Sequence, residues 1–178
     1  MEFRSFELNP NAPAQQEGNL EEALARKYGV SLEQARAMNA RVVDAAAGEG
    51  LRYRYDIAKR GNTFDAHRLI HLAATVGLQP AMKERLLAAY FIEGRAIGDR
   101  NTLVELAGEA GIDSDRARAM LDSDAYTEDV RADEREAAEL GITGVPFFVI
   151  NRRYGVSGAQ PPEVMLEALG VGWKDAPC

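Results

Sequence analysis

With 178 residues, 46% of them apolar, and a net charge of −7, the chain has the makings of one compact domain or of one domain carrying a sizeable insertion. The apolar fraction excludes a disordered chain, and the acidic balance excludes a nucleic-acid backbone as partner. No apolar run approaches the roughly 18 residues of a membrane-spanning helix, so no membrane partner is expected. The start, "MEFRSFELNPN", lacks the basic lead and apolar core of a secretory signal and, read literally, places the chain in the cytoplasm. The one cysteine, Cys178, is the last residue. A single cysteine can form neither an internal disulfide nor a C-x-x-C pair nor a zinc site.

Phe3, Phe6 and Leu8 suggest a strand over 3–8 that ends at Asn9-Pro10, and polar residues up to Gly18 suggest a loop. From 19 to about 140 the pattern is helical. Asn19 with Glu22 and Ser31 with Gln34 have capping-box spacing, and Gly29 and the Gly48-Glu49-Gly50 run close the helices they open. "LRYRYD" (51–56) reads as a connector. Asn62 or Thr63 caps the next helix, which Gly77 stops, and Pro80 suits the first turn of the following one. Asn101, Asp113 and the stretch after Ser123 open three more helices; Gly111 and Gly141 end two of them. Two short strands, 147–150 and 154–157, and a proline-led helix close the chain. One strand cannot cover a core alone, so strand 3–8 is expected in the same sheet as the two later ones.

The chemistry-bearing candidates are few. Pro146 cannot donate to a ladder and so belongs at a strand's start or edge; base rates alone favour a trans bond before it. His67 and His71 share a helix face at a spacing that can hold a metal, but no third ligand is evident, and ordinary packing competes with that reading. His67 is also a possible general acid or base by its unperturbed pKa. Arg152 and Arg153 read either as an anion site or as a solvated turn. Ser157 has no nucleophile-elbow context and no evident base. No residue set indicates a metal or any other cofactor, and no catalytic residue is assigned.

Taken together, "FRSFELNPNAP", "NTFDAHRLIHLA" and "GITGVPFFVINRRYGVSGAQ" resemble the DsbA-like thioredoxin-fold oxidoreductases over essentially the whole chain. Within that family the FrnE-type branch, related to 2-hydroxychromene-2-carboxylate isomerases and kappa-class glutathione transferases, is most similar. The resemblance implies an α/β thioredoxin-like fold interrupted by a large all-helical insertion. Residues 1–18 and 141–178 would form the thioredoxin-like part, and 19–140 the helical domain. It implies a cis Pro146 that faces the active site, with Val145 and Gly144 offering backbone to the substrate, and Asn62, Phe64 and His67 near the site. Protein thiols and disulfides, or a small thiol such as glutathione, are the implied partners.

The departure from the family is as informative. The family's first central strand, its C-x-x-C motif and the first helix would precede "FRSFELNP" by about 35–40 residues, judged from the size of a strand–helix unit. Their absence implies a sheet with unpaired edges, and a start codon assigned too late is the simplest explanation. Three functions follow: thiol–disulfide exchange, a glutathione-dependent isomerase or transferase acting on a small aromatic compound, or a non-catalytic thioredoxin-like protein that binds peptides or forms a homodimer.

Overall fold

The computed structural model describes residues 1–16 and 18–175, so Cys178 lies outside the described residues. Among the described residues the elements run α1 (Leu20–Tyr28), α2 (Leu32–Gly48), α3 (Phe64–Ala74), α4 (Gln79–Phe91), α5 (Arg100–Glu109), α6 (Ser114–Leu121), α7 (Thr127–Glu139), β1 (Phe147–Ile150), β2 (Tyr154–Ser157) and α8 (Pro162–Lys174). They fall into two compact units. The first is Met1–Arg131 and the second begins at Ala132, so the division lies inside α7, where the sequence suggests 140/141.

Four helices, α1, α2, α5 and α6, start where a short polar side chain takes up a free backbone N–H. Asn19 accepts from the Glu22 N–H at 2.7 Å, and Ser31 with Gln34 completes a reciprocal capping box. Asp113 opens α6 in the same way. The start of α5 differs from the sequence reading. Its cap is Asp99, not Asn101: the Asp99 carboxylate accepts from both the N–H and the hydroxyl of Thr102, at 2.8 and 2.9 Å. A carboxylate also meets the positive end of the helix dipole, which an amide does not.

The core of the first unit is built by α3 to α6. Leu69, Leu72, Met82, Leu103, Leu106 and Leu121 are fully buried there. In their midst sits a charge. Arg68 on α3 is 2% exposed. Its guanidinium donates to the carbonyls of Ala125 and Met120, each at 2.8 Å, to the Ser123 carbonyl, and to Asp65 Oδ1 at 2.7 Å. Asp65 in turn accepts from Arg100 Nε at 2.8 Å. The buried cation thus meets the carbonyls of Ser123 and Ala125, beyond the end of α6, and shares the Met120 carbonyl with the N–H and hydroxyl of Ser123.

The expected strand over 3–8 is not formed: the described residues contain one sheet, two strands wide, made of β1 and β2. The segment is nevertheless extended against the helices and keeps a two-residue alternation. Ser5 and Glu7 point inward and are buried, while Leu8 is 70% exposed. With no strand beside it, side chains supply its hydrogen bonds. The Gln79 amide receives the Phe3 N–H at 3.3 Å and donates back to the Phe3 carbonyl at 3.0 Å, a one-residue imitation of a ladder. Ser5 Oγ and His71 Nε2 share a 3.0 Å hydrogen bond, and Arg131 donates to Glu7 at 2.8 Å.

The loop that follows crosses the unit at close quarters. The Ala14 carbonyl lies between Gly61 and Gly98, where a Cβ would come within 2.2 and 2.3 Å of it. Only glycine at both positions permits that approach.

Two stability outcomes follow. Arg68→Met should remove the guanidinium from the Ser123 and Ala125 carbonyls, from Met120, which keeps the Ser123 N–H and hydroxyl, and from Asp65, which keeps Arg100; it should lower unfolding stability by about 3–5 kcal/mol in urea titrations, and Arg68→Lys should recover only part, since an ammonium cannot span the same fork. Asp99→Ala should cost about 1 kcal/mol at neutral pH. The Thr102 N–H and then its hydroxyl hold the Asp99 carboxyl below its ordinary value, so its contribution is full above the usual Asp range. It is lost as pH falls through the depressed folded value, so thermal unfolding of Asp99→Ala and wild type should converge in acid.

Candidate functional site

The second unit is organised around one hairpin. β1 and β2 are antiparallel, with Phe147 opposite Ser157 and Ile150 opposite Tyr154. Asn151 and Arg152, at φ 53° and 54°, make the left-handed turn between them, and the Arg153 N–H closes it onto the Ile150 carbonyl at 3.0 Å. Asparagine tolerates that conformation better than most residues. Its side chain then serves a second purpose, donating to the Gly172 carbonyl of α8 at 2.6 Å.

Close packing holds the hairpin to α8. Gly172 is buried, and a Cβ there would lie 2.4 Å from Ile150 Cγ2. Gly155 lies beneath the Phe147 ring, whose Cζ would be 2.9 Å from an added Cβ. The two turn arginines form ion pairs: Arg152 with Glu136 at 2.6 Å and Arg153 with Asp175 at 3.3 Å. Asp175 also accepts from the Tyr154 hydroxyl, and that bond pushes the phenol's pKa up.

Ahead of β1 the chain passes through Gly144, Val145 and Pro146. The Val145–Pro146 peptide bond is cis. The Pro146 carbonyl is taken by the Gly158 N–H at 2.9 Å, which closes the open end of the hairpin. Val145 is 50% exposed. Its own N–H and carbonyl have no hydrogen-bond partner among the described residues. Gly144, Val145 and Pro146 line a concavity of about 280 Å³ together with Thr143, Ser157 and Gly158. Ser157 and Thr143 are residues that sequence reasoning did not assign. The signal for Ser157 was its place in the hairpin register, opposite Phe147.

Asn62, Phe64 and His67 belong to the first unit, at the start of α3. Asn62 spends its side chain locally. Its amide nitrogen donates to the carbonyls of Pro10 and Ala12 at 3.3 and 3.1 Å, and its oxygen receives the Phe64 N–H at 2.8 Å. Asn62 therefore ties the 10–12 loop to the helix start, while Thr63, the residue at the cap, makes no side-chain cap bond. The Phe64 ring has the Arg131 guanidinium 4.3 Å and the Arg68 guanidinium 6.0 Å from its centroid, the geometry of cation–π contacts. His67 is half-buried one turn further on.

The whole of residues 1–170 matches the family model described as the DSBA-like thioredoxin domain. The chain belongs to that family. It is 46% identical to a probable DsbA oxidoreductase from Streptomyces coelicolor, whose crystal structure superimposes with a TM-score of 0.92 over 98% of this chain and 76% of that one. A candidate protein disulfide isomerase from Nitrosomonas europaea, at 17% identity, shares the fold with a TM-score of 0.65 over 81% of this chain and 76% of that one. No curated protein sequence matches. The family fold accounts for a proline-led hairpin backed by a terminal helix and preceded by a long helical block. No helix among the described residues is long and apolar enough to cross a membrane.

The hairpin's footing on α8 is open to direct test. Gly172→Ala should force Ile150 and the turn away from the helix and cost about 1–3 kcal/mol. Hydrogen exchange should show the loss as faster exchange of the Asn151 to Tyr154 amides, with α3 and α5 unaffected.

Proposed function

We propose that the chain serves thiol–disulfide exchange as a FrnE-type oxidoreductase, its Gly144–Pro146 segment holding the substrate. The observation that carries this reading is the Val145 backbone. An N–H and a carbonyl, both without partners among the described residues, belong to one exposed residue at the rim of a concavity. An extended peptide can satisfy both groups at once, as an added strand does at a sheet edge.

The exchange itself needs a thiolate that attacks one sulfur of the substrate disulfide and releases the other as a thiolate. The 178 residues contain no C-x-x-C pair, so a redox pair from outside them supplies that group. The chain contributes binding and orientation, the part of catalysis that brings reactants together in the right geometry.

Titration of isotope-labelled protein with a short cysteine-containing peptide, capped as a disulfide, tests the reading. The Gly144 and Val145 amide resonances should shift, and Val145→Ala, which keeps both backbone groups, should bind within about threefold of wild type. Shifts that avoid this segment, or arise only with glutathione, would overturn the peptide assignment. Robust disulfide exchange by the 178-residue chain alone would overturn the assignment of the redox pair to another segment.

A further inference from the structure

Where α4 turns into α5, two arginines and three glutamates form one connected set. Arg85 on α4 donates to Glu109 Oε2 at 2.7 Å and also to Glu93. Arg95, in the turn, donates to Glu109 Oε1 at 2.6 Å and to Glu105 at 2.7 Å. Glu109 is the node, since each of its oxygens takes one arginine. Both guanidiniums are largely covered, at 17 and 23% exposure. An isolated surface pair contributes little, but arginine forks shared within a network are the case in which such pairs hold. Every contact joins residues of the first unit to one another.

The placement of the glutamates is unfavourable for α5 itself. Glu109 is the last residue of that helix, where the dipole opposes a negative charge, and Glu105 repels it from one turn earlier. The compensation comes only across the corner, from Arg95 and then Arg85, which hold the Glu109 carboxyl below its ordinary value. Glu109 therefore stays ionised through the neutral range, and the signal to which the set responds is salt. Screening relieves the repulsion within α5 while it loosens the corner.

The corner in turn seats the connector 51–57, between α2 and α3. The Arg95 N–H bonds the Ala89 carbonyl at 2.8 Å, and the Arg54 N–H bonds the Phe91 carbonyl at 2.7 Å. Tyr53 stacks on the Phe91 ring at 4.5 Å between centroids. Gly94 approaches the connector so closely that a Cβ would come within 2.6 Å of the Ile57 carbonyl. Ile97, packed against the core, and Asp99, the cap of α5, confine the segment that can move to 92–96.

We propose that these side chains form a salt-released latch: at low ionic strength they pin 92–96 to α4 and α5, and at high ionic strength the corner opens and unseats the connector 51–57 while the α3–α6 core stays folded. The proposal is independent of the oxidoreductase reading, and its readouts are separate from substrate binding.

Amide hydrogen exchange of the 178-residue chain in about 10 mM and about 1 M sodium chloride tests it, since the Debye length falls from roughly 30 to 3 Å between them. The Arg54, Ile57 and Arg95 amides should exchange about fivefold faster or more in high salt, while Leu106 and Ala107 of α5 change by less than about twofold. Glu109→Gln keeps an acceptor but removes the charge at an exposed site. It should show the fast exchange already in low salt and lose most of the salt response. Glu105→Gln, which removes only the outermost pair, should keep that response. Arg54 and Arg95 amides indifferent to salt, core amides that speed up with them, or a Glu109→Gln chain that responds as wild type does would each overturn the proposal.

Discussion

A buried guanidinium decides how the helices of the first unit connect. Arg68 reaches from α3 to the carbonyl of Met120 in the last turn of α6 and to those of Ser123 and Ala125, between α6 and α7. Those carbonyls must find donors wherever the chain turns. Tyr126, at φ 62°, then sends the backbone into α7. A lysine could neutralise the charge of Asp65 but could not present parallel donors to separate carbonyls from a fixed plane. One residue therefore satisfies the end of α6, orients the entry to α7 and holds Asp65, which anchors Arg100 and with it the start of α5. Replacing such a centre with an apolar side chain of like volume would take the guanidinium from the Ser123 and Ala125 carbonyls, which is why the charge is not easily exchanged.

The same geometry reaches the N-terminal segment. Phe64 lies one turn before Arg68, its ring between Arg68 and Arg131, and Arg131 in turn binds Glu7. Here the sequence was least legible. Phe3, Phe6 and Leu8 have the look of a strand's apolar residues, yet the inward positions include Ser5 and Glu7, and Leu8 faces solvent. The alternation was readable and its phase was not. Polar residues can face inward only because His71, Gln79 and Arg131 meet them, from 66 to 124 residues away in sequence. No local pattern carries information about partners so distant. Helix starts, by contrast, depend on a side chain and an N–H three residues apart, so Asn19, Ser31 and Asp113 could be read directly. Asp99 was passed over for Asn101 because both are good caps, and only the position of the Thr102 N–H separates them.

The hairpin was legible for related reasons. Its strands are short and apolar, and proline and glycine mark their limits, so 147–150 and 154–157 could be placed to the residue. The concavity beside it was legible only in part. Gly144, Val145 and Pro146 are consecutive, but Thr143, Ser157 and Gly158 join them through the strand register and the Gly158–Pro146 hydrogen bond, which arise only on folding. Arg152 and Arg153, open to reading as an anion site, are committed to Glu136 and Asp175.

What the hairpin offers a ligand is mostly backbone, and that has a consequence for selectivity. In the proposed reading, the Val145 N–H and carbonyl, without partners among the described residues, would meet any extended chain equally well, because every residue but proline presents the complementary pair. Discrimination must then come from the few side chains around them: the hydroxyls of Thr143 and Ser157 and the ring of Phe147. Removing or enlarging one of these changes contacts worth about 1–3 kcal/mol each, enough to rank substrates but not to exclude whole classes. In that reading the surface would accept many sequences at one geometry. Its precision lies in rigidity, and that rigidity is built behind the surface, where Gly172 and Asn151 lock the turn to α8 and Gly155 lets the Phe147 ring lie flat across the sheet.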